Sequence, residues 1–225
     1  MIAKAEKTAS AFWLSGINLW LSASISFSFI LLSYRVFLSG NSTYSFLVWN
    51  LFLAGIPYVF SSLIYHRVAS KTLRLKHLPL LLIWLLFLPN APYILTDLFH
   101  LEQKPAIPEW YDLMLILSFA LNGLVLGIIS LFQVHDLVEN RLGKASGFVF
   151  ALLVCLLCAF GVYLGRFLRF NSWDIISNPS PLFQDLFSSI KEPQAHGRRW
   201  GMTFVMGTML FMLYSLLRSL RTRAK

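Results

Sequence analysis

The sequence predicts an all-α fold: a polytopic membrane helical bundle of six transmembrane helices, with the third helix broken at Pro89–Pro92 and both termini cytoplasmic. Three observations lead there. The 225 residues are 57% hydrophobic and only 13% charged, whereas a soluble domain of this size carries about a quarter charged residues. The apolar residues fall in continuous runs rather than alternating, which excludes barrel strands. Lys and Arg are unevenly shared between the two sides those runs define. Disorder is excluded by the hydrophobicity, and two cysteines do not make a disulfide scaffold.

About 20 apolar residues cross a bilayer as a helix. Six such runs are present, near residues 17–36, 44–65, 77–99, 110–134, 147–168 and 200–220, within one integral membrane domain spanning 1–225. The first begins after Lys4 and Lys7 and contains Ser22-Ala23-Ser24, features of a signal peptide. Its apolar stretch is longer than a signal's 7–15 residues, so it reads as an uncleaved helix. With the N-terminus inside, twelve Lys and Arg face the cytoplasm and seven face outward. Seven of the ten acids fall outside, including Asp97, Glu102, Glu109, Asp112 and Asp174. Acids contribute little to orientation, so their bias directs attention to the outer face. The longest segment between spans, 170–199, contains Leu182, Phe183, Leu186 and Phe187 at helical spacing. Residues 180–190 therefore read as a short helix lying at the interface, bounded by Pro179, Pro181 and Pro193.

The third run contains Leu88-Pro89-Asn90-Ala91-Pro92-Tyr93. Each proline removes a helical hydrogen bond and crowds the preceding turn, while Asn90 suits the cap of a new helix. At 1.5 Å per residue the break lies about 18 Å from His77, near the bilayer midplane. Backbone of that kind persists in a membrane only where protein or a water-filled cavity covers it. Beyond the break, Asn90, Tyr93, Asp97 and His100 fall within about 80° of one another at 100° per residue. Ionisable groups at membrane depth point to function. Mutual satisfaction of these groups at a proline kink is the competing explanation.

Spans four and five each carry a GxxxG, Gly123/Gly127 and Gly161/Gly165, which marks the face turned into the bundle. Asp112 shares the first of these faces and Arg169 the second, with Arg166 on the flank. A buried ion pair of Asp112 with Arg166 or Arg169 is expected, structural or catalytic. Arg166, Arg169, Asn171, Trp173 and Asp174 also fit a phosphate or carboxylate headgroup, against the alternative of snorkelling arginines. Asn122, near the depth of the break, is placed to cap carbonyls freed there. Cys155 and Cys158 form a CxxC inside an apolar helix and read as buried small residues. No P-loop, GxGxxG, GxSxG or HExxH is present. No cofactor and no metal is implied; a mixed site of Asp97 and His100 with Glu102 or Asp112 is the weaker alternative. Nucleic acid is not an expected partner, since no basic stripe sits on a soluble domain.

Three longer strings resemble one family. They are Phe87-Leu88-Pro89-Asn90-Ala91-Pro92-Tyr93 with Thr96-Asp97-Leu98 and His100-Leu101, then Trp110 with Asp112, then Tyr163 through Asp174. From span two onward the chain resembles the uncharacterised bacterial membrane family called domain-of-unknown-function 1361. The resemblance implies a multi-pass protein of the bacterial plasma membrane and supplies no reaction, no catalytic residues and no protein partner.

Three functions fit these residues. One is an enzyme on an envelope or lipid-linked substrate, with Asp97, His100 and Asp112 as acid–base groups and Asn90, Tyr93, Arg166, Arg169, Asn171, Trp173 and Asp174 binding its anionic part. Another is a small transporter built on the broken helix, which the apolar inner halves of spans three and five count against. The third is an accessory or assembly protein whose polar cluster is structural. In each, membrane lipids are the surrounding partner.

Overall fold

The computed structural model describes residues 2–68, 77–101 and 107–223. Among the described residues the helical segments follow in this order: α1 (Ile2–Ser39), α2 (Phe46–Val68), α3 (Leu78–Phe87), α4 (Asn90–Tyr93), a 3-10 helix (Ile94–His100), α5 (Glu109–Leu142), α6 (Lys144–Phe167), α7 (Asp174–Ser177), α8 (Pro179–Lys191) and α9 (Gly197–Arg223). Six spans among the described residues are long and apolar enough to cross a membrane: Leu19–Ser39, Phe46–Val68, Leu78–His100, Glu109–Leu142, Lys144–Phe167 and Gly197–Thr222. They coincide with the six runs read from the sequence. Lys71, Arg74, Lys76, Glu102 and Lys104 lie outside the described residues.

Helix α5 is the hub, packing against α1, α2, α6 and the segment from α4 to His100, while α9 packs on α6. Its 34 residues make a rod of about 51 Å at 1.5 Å per residue, longer than the roughly 30 Å apolar core of a bilayer. The extra turns carry Asp136 and Glu139, which Arg218 and Arg221 of α9 neutralise. Gly143, at φ +89°, joins α5 to α6 in a single residue. That left-handed backbone suits a residue without Cβ.

The third span is interrupted where its prolines predict. Regular helix stops at Phe87, turns at Leu88–Pro89, resumes for one turn and continues as 3-10 helix to His100. Two carbonyls beside the break are occupied. The Asn90 side chain donates to Phe87 O at 2.9 Å and the Ser172 hydroxyl to Leu86 O at 3.2 Å. Asn90 also donates to the Ser172 hydroxyl at 3.0 Å, which ties the break to the loop after α6. Asn122 plays no part here: it bonds Ser28 and Ser118 instead.

The glycines receive this segment. A Cβ on Gly123 would lie 2.8 Å from Ala91 O, and one on Gly127 2.7 Å from the Ala91 side chain. On the opposite wall, a Cβ on Gly161 would lie 2.6 Å from Pro89 and one on Gly165 3.2 Å from Tyr93. Both GxxxG pairs therefore face inward as expected, and what they admit is the broken third span, wedged between α5 and α6.

Candidate functional site

That wedge decides which charges meet. Arg166 lies in the last turn of α6, and the 3-10 helix stands between it and the start of α5. Arg166 therefore reaches Asp97, with Nη1 3.5 Å from Oδ1, and never reaches Asp112. The expected pairing of Asp112 with Arg166 or Arg169 is corrected accordingly. Asp112 pairs with Arg35 of α1, which packs on α5 with nothing between them. The pair is a fork: Nε to Oδ1 at 3.2 Å and Nη2 to Oδ2 at 3.3 Å. Both side chains are buried, and the Tyr44 ring lies 4.6 Å beneath the guanidinium. Arg35 Nη1 also donates to Asn41 O at 3.1 Å. Both Asp112 oxygens are engaged by Arg35 and the side chain is buried, an arrangement that suits a structural ion pair.

Asp97 and His100 remain together. Three residues apart on a 3-10 helix, they stack one above the other, because that helix has three residues per turn. Asp97 is buried and accepts from Asn50 Nδ2 of α2 at 2.8 Å. Arg166 Nη1 lies 2.9 Å from His100 Nε2. A guanidinium only donates, so Nε2 is the acceptor and the imidazole is neutral in this arrangement. The Phe46 ring meets the imidazole edge-on, and Tyr44 donates its hydroxyl to His100 O at 3.3 Å. Tyr44 thus connects the two ion pairs.

The other candidates separate from this cluster. Asn90 is engaged at the break, and Tyr93 covers Gly165. Asn171 and Asp174 bind each other: the Asn171 amide donates to Asp174 Oδ2 at 2.6 Å, and Ser177 donates to Oδ1 at 3.0 Å. The Asn171 backbone bond holds the Asp174 carboxyl below its ordinary range, helped by the Ser177 and Asn171 side chains against a small desolvation cost. Trp173 is exposed. Arg169 is exposed and turns the chain out of α6 with φ +61°; Phe170 N–H then bonds Leu164 O at 3.2 Å.

Asn50 and Arg35 escaped the reading of the sequence. Asn50 had a signal, since it is a lone amide in an apolar span. Arg35 stands near the end of its run and counted only as one of the seven outer basic residues. Deeper in the bundle lies an apolar cavity of about 40 Å³, bordered by Leu88, Ala91, Pro92, Leu124, Cys155, Cys158, Leu210 and Tyr214 among others. Asn90, Tyr93, Asp97 and His100 do not border it. Cys155 and Cys158 are unbridged and buried. Among the described residues no group of three or more His, Cys, Asp or Glu side chains is gathered closely enough to hold a metal.

No curated protein and no solved structure matches the chain. A family model, Protein of unknown function (DUF1361), matches residues 49–213, which contain the interrupted span, Asn50, Asp97, His100 and Arg166. By that match over more than half its length, the chain belongs to the DUF1361 family of proteins of unknown function.

Proposed function

We propose that this is a plasma-membrane protein, bacterial by its resemblance, that binds an anionic group at the outer leaflet through Arg166, with Asp97, His100 and Asn50 holding the guanidinium in place. Both termini lie in the cytoplasm in this reading, which the excess of Lys and Arg on that side supports. The observation that carries the proposal is the state of Arg166. Its side chain is 13% exposed and uses Nη1 for Asp97 and His100. Its Nε and Nη2 have no hydrogen-bond partner among the described residues. A guanidinium presents two parallel donors to a phosphate or carboxylate oxygen pair, and Arg169 adds a second positive charge nearby in sequence. Phosphate headgroups of the surrounding lipid and the anionic end of an envelope or lipid-linked substrate share this chemistry. Transport is disfavoured, because the cavity beneath the break is lined by apolar side chains.

The test compares purified wild type with Arg166→Gln and His100→Gln by native mass spectrometry. Wild type retains an anionic lipid, and the variants release it while losing less stability than a variant of the buried Arg35–Asp112 pair. A second arm compares Asp97→Asn and His100→Gln in complementation of a deletion strain. Normal expression with lost complementation supports binding or catalysis. Joint loss of stability and function supports the structural reading, which the burial of Asp97 and its two partners favours. Reporter fusions at Lys225 and in the 103–109 loop must report opposite faces; agreement between them overturns the topology.

A further inference from the structure

Helix α8 is amphipathic in a way that its packing against the bundle does not use up. At 100° per residue its side chains divide into three sectors. Leu182, Asp185, Leu186 and Ser189 occupy one sector and turn toward the protein. There Arg199 of α9 forms an ion pair with Asp185 at 2.8 Å and bonds Ser189, and Trp200 donates to Ser189 O at 3.3 Å. Phe183 and Phe187 occupy a second sector, about 40° apart and more than 60° from the centre of the first. They are 45% and 69% exposed, and Ile176 of α7 is 83% exposed. Gln184, Ser188 and Lys191 fill the third, beyond the phenylalanines. The sequence groups Leu182, Phe183, Leu186 and Phe187 on one face. The structure splits that group into a leucine pair, Leu182 buried and Leu186 half-buried, and an exposed aromatic pair.

Two features of the structure bear on what covers the aromatic pair. Arg199 and Trp200 lie in the first turn of α9, so the contacts above hold α8 at the level where a membrane span begins. Phe167 of α6 and Phe204 and Val205 of α9, in the spans that flank this segment in the chain, are exposed as well. We infer that α8, with Ile176 of α7, lies in the plane of the membrane and seats Phe183 and Phe187 in the acyl boundary of the lipid leaflet, leaving Gln184, Ser188 and Lys191 in the headgroup layer. A helix with one apolar sector, an adjacent polar sector and aromatic residues at the boundary partitions in this manner, and phenylalanine exposed to water gains nothing in return. Lipid is the partner at this surface. The inference is independent of what Arg166 binds.

The experiment uses the full chain in nanodiscs of phosphatidylethanolamine and phosphatidylglycerol. A nitroxide is attached in turn at Phe183→Cys, Phe187→Cys and Gln184→Cys; wild type, whose two cysteines are buried, is the labelling control. Collision with oxygen, which concentrates in lipid, is compared with collision with a water-soluble nickel chelate. At 183 and 187 oxygen collides several-fold more often than the chelate, and at 184 the order reverses. Equal chelate access at all three positions overturns the inference in favour of a water-exposed helix. Loss of both probes at 183 and 187 overturns it in favour of a protein cover, such as a second copy of the chain. If a labelled variant does not fold, hydroxyl-radical footprinting of the unmodified chain in the same nanodiscs decides the matter. Phe183 and Phe187 resist oxidation as fully as residues of the spans, or they oxidise at the rate of solvent-exposed aromatics and the inference fails.

Discussion

Two aspartate–arginine pairs stand at the same end of the bundle, and they are built differently. Arg35 and Asp112 meet as a two-bond fork, buried on both sides, with an aromatic ring under the guanidinium. Arg166 and Asp97 meet through one nitrogen at 3.5 Å, share it with His100, and leave the guanidinium partly exposed. The first pair has spent its hydrogen-bonding capacity on the fold. The second engages only one of its guanidinium nitrogens in polar contacts among the described residues. The chemical groups are the same, so the difference lies in what separates the partners. The first pair joins two helices in direct contact, and the second joins a helix end to a distorted 3-10 segment. The two pairs share an end of the bundle, so donor saturation rather than depth is what separates them.

The largest expected effect belongs to the saturated pair. Asp112→Asn or Arg35→Leu strands one buried charge, a loss of about 3–5 kcal/mol. Thermal unfolding in detergent checks it. The double variant Arg35→Leu/Asp112→Leu should recover much of the loss, since no charge is then left unpaired. A single variant that unfolds like wild type would remove the contrast between the two pairs.

Arg166→Gln comes next. It removes hydrogen bonds to a charged group from a partly exposed site, about 1.5–3 kcal/mol, and Asn50 still satisfies Asp97. Its stability loss should be smaller than that of Asp112→Asn, while its loss of bound anion should be larger. A titration of inorganic phosphate or anionic lipid against both variants separates the two readouts. The reverse ranking would make Arg166 the structural pair and Arg35 the functional one.

Most of the architecture was legible because long apolar runs and paired prolines leave few alternatives. The two glycine pairs also revealed which faces turn inward. Their occupant was not legible. Helical-wheel geometry treats α5 and α6 as neighbours in contact, and on that assumption Asp112 and Arg166 share depth and direction. The two helices do pack on each other, but at Gly123/Gly127 and Gly161/Gly165 the wedge of Pro89, Ala91 and Tyr93 comes between them, and there the assumption fails. The wheel also assumes 100° per residue past the break, whereas the backbone tightens to 3-10 geometry from Ile94. That change keeps Asp97 and His100 together and leaves Asn90 to cap the break. Ser172 belonged to a string that resembled the family, yet nothing in its own chemistry marked it as a cap for carbonyls more than eighty residues away.

Arg169 sharpens the comparison at a smaller scale. Its left-handed backbone costs an L-residue about 1–2 kcal/mol, and glycine recovers part of this against its own loss of chain entropy. Arg169→Gly should therefore stabilise the protein by about 0.5–1 kcal/mol. If the arginine assists Arg166, the same variant weakens anion binding while it raises the melting temperature. A rise in both would assign the strained position to no ligand at all.

The smallest effect belongs to Asp174, whose carboxylate closes the loop that delivers Ser172 to the break. Its value is lowered chiefly by the Asn171 amide, so the ionised form is the one the fold favours. The stabilisation is complete above the unfolded value, about 3.9, and it is lost as the pH falls through the lower folded value. Nothing should therefore change between neutrality and pH ~5. Below that, amide exchange at Asn171 should quicken first, before any change in the spans. The carboxylate is exposed, so solvent screens the interaction and the global melting temperature should barely move. Asp174→Asn should reproduce the acid result at neutral pH. Faster exchange that spreads to Asn90 would show that the loop and the break open together through Ser172. Exchange confined to 171–177 would show that the break is held by its own Asn90 cap, and that the loop only lies over it.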